Sequence, residues 1–161
     1  MKRILLLPHI KVQNANALSS PFTIGFPAMT AWLGAVHGLQ RKINSSGWQE
    51  VIFNAVAVVS HRVDLQTHRG TGDYVNSIIG TGNPLDKNGK RPSFIEEARC
   101  HLDVSLLIEY KGFGKVDEEQ IKEELFHHLN SSIKIAGGDI LSFQEVSFSK
   151  LKRVTMQIYI N

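Results

Sequence analysis

Seven histidines and one cysteine are the residues of this 161-residue chain best suited to ligating a metal or moving a proton. Their spacing argues against both. His127 and His128 are adjacent in a segment that reads as a helix, where neighbours point about 100° apart and close poorly on one ion. His9, His37, His61, His68 and His101 fall on different predicted elements with no ligand spacing among them. Cys100 lies on the apolar side of an alternating run and reads as core. A lone cysteine leaves no intramolecular disulfide and no zinc site built on several thiolates. The stretch GTGDYVNSIIGTG (70–82) lacks the lysine and the strand–loop–helix context of a phosphate-binding loop or a dinucleotide fingerprint. With no paired carboxylates, nucleophile triad or metal constellation, the residues point to a binding module, with neither catalysis nor a cofactor or metal expected.

The residues left over are polar and basic. KVQNANALSSPFTIGFP (11–27) is long, carries one formal charge and precedes an apolar helix pattern. Loops of this length are uncommon in small domains unless they bind something. Its asparagines could equally cap turns. Arg41 and Lys42 close the first helix, where the helix dipole already favours cations. SHRVDLQTHR (60–69) places Arg62 and Arg69 just after a predicted strand end, suited to phosphates or to water. Gly137 and Gly138 inside AGGDI mark a bulge or a close backbone approach. Residues 1–95 hold ten Lys/Arg against four Asp/Glu, whereas 96–161 hold eight against eleven. A basic front portion suits a polyanion such as RNA.

The elements that would position these residues follow from periodicity. RILLL (3–7) reads as a buried strand that either ends at Pro8 or continues through a bulge to Ile10 and Val12. Pro27 suits a helix's first turn, and Trp32, Val36, Leu39 and Ile43 form its apolar face. EVIFNAVAVVS (50–60) is valine-rich and reads as a central strand. Residues 61–97 read as a loop or hairpin insertion, with LDKNGK as a turn. Ala98 to Ile108 alternates and reads as a long half-buried strand. DEEQ (117–120) matches a capping box ahead of the stripe Ile121, Leu125, Leu129. SIKIAGGDILSF (132–143) reads as a strand broken by its glycines, and 150–161 as an extra terminal strand. The order β-α-β, insertion, β-α-β predicts an α+β, ferredoxin-like (RNA-recognition-type) β-α-β-β-α-β domain spanning 1–161. The basic N-terminus has too short an apolar run for a signal peptide, and no stretch approaches membrane-span length, so a cytoplasmic protein is expected.

Three stretches carry a resemblance: LLLPHIKVQNANALSSPFTIGFPAMTAWLGAVHGLQRK (5–42), NPLDKNGKRPSFIEEARCHLDVSLLIE (83–109) and AGGDIL (136–141). Together they resemble the type I-F CRISPR-associated subunit of the Cas-five class, also called the second Csy protein. The resemblance implies a ferredoxin-like core in a crRNA-guided surveillance complex, where that subunit holds the crRNA 5′ handle. It also implies pairing with the large subunit and contact with the first backbone subunit, without nuclease activity. Carried onto this sequence, it makes Gln13, Asn14, Asn16, Ser19 and Ser20 candidates for RNA bases and 2′-hydroxyls. Arg41, Lys42, Arg62 and Arg99 become candidate phosphate contacts, and Gly137–Gly138 a place where the RNA backbone comes close. Family members are longer, with a further helical and basic region after the glycine pair, so a shortened form is expected. The alternative is a stand-alone phage or mobile-element homologue that binds Cas subunits and blocks assembly or interference. A metal-independent RNA endonuclease, as in some relatives of the class, would need a general base at a positioned 2′-hydroxyl, for which only scattered histidines are available.

Overall fold

The computed structural model describes residues 2–80, 85–90 and 97–151. Three long strands carry the sheet: β1 (Lys2–Asn16), β4 (Ile52–Leu65) and β7 (Arg99–Lys111). Short hairpins fill the connections, β2 (Leu18–Ser20) with β3 (Thr23–Ile24) and β5 (Thr67–His68) with β6 (Ser77–Ile78). Helices α1 (Met29–Ser45) and α2 (Glu118–Ser131) alternate with the strands, and β8 (Lys134–Ile135), β9 (Gly138–Ser142) and β10 (Ser147–Leu151) follow. The main sheet is antiparallel in the order β4-β7-β1-β9-β8, with β10 pairing the first residues of β1. The class is mixed α and β, an antiparallel sheet with two helices.

Alternation decides which face each strand buries. Leu5, Leu7, Ile10 and Val12 of β1 and Cys100, Leu102, Val104, Leu106 and Ile108 of β7 are buried. They meet Trp32, Val36, Leu39 and Ile43 of α1 and Ile121, Leu125 and Leu129 of α2 in one core. Each such aliphatic side chain contributes roughly 1.5–3 kcal/mol by leaving water. The first helix is pinned by its own polar side chains. Asn44 donates its amide to the carbonyls of Trp48 (2.6 Å) and Val51 (3.0 Å), and Gln40 Oε1 accepts from the Phe53 N–H at 2.7 Å.

Several expectations are corrected. β1 does not yield to a loop at Lys11; it runs on to Asn16, because two bulges let Ile10, Val12 and Ala15 stay on the buried face. The valine-rich strand β4 is an edge strand, and it continues to Leu65, so Arg62 stands on a strand and the insertion starts later than residue 61. The glycine pair does not interrupt one strand. Ala136 (φ 49°) and Gly137 (φ 75°) form a two-residue turn between β8 and β9, the left-handed geometry a tight hairpin requires. The expected capping box is not formed: Asp117 Oδ2 accepts from the Gly114 N–H (2.9 Å) and gives α2 no side-chain cap. Asp86 does close a turn in LDKNGK, accepting from the N–H groups of Asn88 and Lys90 (both 2.8 Å). Of the expected terminal strand, Lys150 and Leu151 belong to β10, and the rest lies outside the described residues. Among the described residues no helix is long and apolar enough to cross a membrane.

Candidate functional site

The sheet face turned away from the helices carries the polar residues of β1, β4 and β7, and irregular backbone gathers them. The ladder between β1 and β7 slips between Leu7 and Ile10 and again between Val12 and Ala15. Within those slips His9 (φ 47°) and Asn14 (φ 56°) adopt left-handed backbone, uncommon outside glycine although Asn and His are among the residues that enter it most readily. On β4 the slip between Ser60 and Arg62 leaves His61 out of register. A bulge of this kind re-aims the extra side chain.

Two clusters result. In the first, the His9 and His61 rings stack with centroids 4.2 Å apart and planes 20° from parallel. His9 Nδ1 lies 3.0 Å from Asp103 Oδ1, and Ser105 Oγ accepts from the His9 N–H (3.0 Å) while lying 2.7 Å from His61 Nε2. In the second, Gln66 donates its amide to Asn14 Oδ1 (2.7 Å) and the Asn14 N–H donates to His101 Nδ1 (3.3 Å). Arg99 completes it, donating Nη1 to the Asn14 carbonyl (3.3 Å) and Nη2 to Glu97 Oε2 (2.7 Å). Between the clusters runs an open groove of about 410 Å³, with Lys11, Gln13, Arg62, Asp64, His101 and Asp103 along it. Arg62 faces Asp64 at 3.5 Å, so the groove has mixed rather than uniformly positive charge. A second groove, of about 710 Å³, is floored by Gly34 and Gly38 of α1 and rimmed by Asn16, Lys42, Arg99 and Gly137.

The residues expected at an RNA contact therefore divide. Gln13, Asn14 and Arg62 belong to the open sheet face, Asn16, Lys42 and Gly137 to the second groove, and Arg99 touches both groups. Ser19 and Ser20 sit in the β2–β3 hairpin with their hydroxyls donating to the carbonyl (3.2 Å) and hydroxyl (2.9 Å) of Thr23. Asn16 Oδ1 likewise accepts from the Leu18 N–H at 2.8 Å, the turn-stabilising role open to this stretch. Arg41 lines neither groove. Gly138 lies against β1 itself: a Cβ there would stand 2.6 Å from the Gln13 carbonyl and 2.8 Å from the Ala15 nitrogen. Gln66, His101, His9, His61 and Asp103 were not legible as partners, because three strands far apart in sequence bring them together.

A family model for the CRISPR-associated protein Cas_Csy2 matches residues 5–158. The chain belongs to this family. Its relatives include the CRISPR-associated protein Csy2 of Pseudomonas aeruginosa (strain UCBPP-PA14), 38% identical over 144 residues, a match covering 86% of this chain and 42% of that protein. Both bulges of β1, the Gln66–His101–Arg99 cluster and the Ala136–Gly137 turn all fall inside the span matched to Cas_Csy2.

Proposed function

We propose that this chain is a non-catalytic component of a type I-F CRISPR surveillance complex that holds the 5′ handle of the crRNA. In that complex it pairs with the large subunit and abuts the first backbone subunit. The observation that carries the reading is the Cas_Csy2 match across residues 5–158, together with 38% identity to a Csy2 protein. That match favours a working subunit over a stand-alone inhibitor of the complex. The strand order β4-β7-β1-β9, with two helices packed on the buried face, supports a ferredoxin-like reading of the core.

Asn14, Gln13 and Gln66 offer amides able to hydrogen-bond splayed bases or 2′-hydroxyls, and Arg62, Arg99 and Lys42 offer phosphate partners. Gly137 leaves the rim of the second groove without a side chain, where an RNA backbone can pass close. Arg41, Ser19 and Ser20 line neither groove and contribute less. In this reading the protein is cytoplasmic and works without a cofactor.

The test is a tagged copy expressed alongside a complete type I-F system, with co-purifying protein and RNA identified. Recovery of the large subunit, backbone subunits and crRNA is the expected result. Recovery of a Cas protein without crRNA would instead support the inhibitor, and recovery of neither would overturn both readings.

A further inference from the structure

We propose that His9, His61 and Asp103 form a binding site for a divalent transition-metal ion such as Zn²⁺ or Co²⁺. Ligand atoms from the three lie within 4.8 Å of one another. They come from adjacent strands, His9 from β1 and His61 from β4, on either side of Asp103 in β7. Two imidazoles and a carboxylate are a donor set that zinc uses when a remaining position is left to water, and imidazole with carboxylate suits the neighbouring divalent metals as well.

The backbone separates this cluster from an ordinary polar surface. Two bulges, independent of one another and on opposite edges of β7, each deliver a histidine over the same two residues, Asp103 and Ser105. His9 does so at φ 47°, a left-handed conformation that is strained for a non-glycine residue and persists where the surroundings hold it. Its own N–H, bonded to the buried Ser105 hydroxyl at 3.0 Å, supplies that hold.

An ionised carboxylate only accepts, so His9 Nδ1 carries the proton it shares with Asp103. The ion takes that proton's place, the proton leaves to solvent, and Nδ1 and the carboxylate become ligands. In the stack His9 Nδ1 is turned to Asp103 and His61 Nε2 to Ser105 Oγ. The exposed His61 ring therefore turns about its Cβ–Cγ bond to coordinate, releasing Ser105 Oγ, which keeps the His9 N–H.

The experiment is a Co²⁺ titration of the whole purified chain followed by visible absorption, with a Zn²⁺ titration by calorimetry. It needs no RNA, so its outcome is separate from that of the crRNA reading. The expected result is one ion bound, with the ligand-field (d–d) absorption of Co²⁺ held by nitrogen and oxygen donors. His61→Ala and Asp103→Asn should each weaken binding by more than the roughly 10–100-fold typical of losing a residue that only supports a ligand. His68→Ala, an exposed histidine on β5, should leave it unchanged. Far-UV circular dichroism checks that each variant is folded, and His61, being exposed, is the safer of the two. The proposal is overturned if the unaltered protein binds neither ion, or binds it equally well in folded His61→Ala.

Discussion

Arg99 uses both terminal nitrogens, one on the Asn14 carbonyl and one on Glu97, and it borders the turn at Gly137. A planar guanidinium held in this way is pre-organised for a phosphate in a manner lysine is not. If the crRNA handle crosses this surface, Arg99→Ala lowers handle affinity about 10-fold, uniformly across sequences as expected of a lost phosphate contact. Arg99→Lys recovers only part of it. Fluorescence anisotropy with a labelled handle oligonucleotide checks this, and unchanged affinity in the alanine variant removes Arg99 from the contact. At the neighbouring residue the chemistry is inert. Cys100 is fully buried, and burial pushes its thiol up to about 11, so almost no thiolate exists at neutral pH. Thiol-reactive dyes should leave the native protein unlabelled for as long as it stays folded and react promptly in denaturant. Rapid labelling of native protein would contradict the packing of β7.

Element ends carry the backbone constraints. Gly112, just past β7, has φ +99°, and a Cβ there would stand 1.8 Å from the Glu50 carbonyl. Gly112→Ala must therefore move the approach to β4, and urea unfolding should show a loss of at least about 2 kcal/mol. At the end of α2, burial pulls the His128 imidazole below its ordinary value of 6.5; Glu124 opposes the shift, while His127 and Lys42 add to it. The unfolded chain then binds the proton more readily. The stability His128 allows is present above about 6.5 and declines as the pH falls toward the folded-state value. Thermal melts from pH 7.5 to 5 should show a shallower decline in His128→Gln, and parallel curves would refute the assignment. The helices were legible because their signals are local: Trp32, Val36, Leu39 and Ile43 keep one helical face, and all are buried. The far half of β1 was legible only in part: continuation through a bulge to Ile10 and Val12 was one of two readings, and the second bulge, which sets Ala15 three residues beyond Val12, breaks strict alternation. The end of β4 resembled a loop because its last residues have little buried surface on either side. Asn14 and Arg99 could be picked out by residue type, but their meeting with Gln66 and His101 depends on register between distant strands.

For the molecule as a whole, the number of cations that meet phosphate sets how an RNA complex would respond to salt. Three phosphate contacts, from Lys42, Arg62 and Arg99, give a slope of log affinity against log salt near −2, from about −0.7 per contact on single strands. A slope near zero would mean that the handle is held without these cations. The sheet order also governs when the fold can form. β1 is synthesised before all of its partners, β7, β9 and β10, whose residues begin at Arg99, Gly138 and Ser147. The strand that ends up in the middle of the sheet thus waits, apolar and unpaired, until nearly 100 residues more have been made. Such long-range pairing closes slowly, and until it does the unpaired apolar run RILLL is the kind of segment that pairs with another chain's edge.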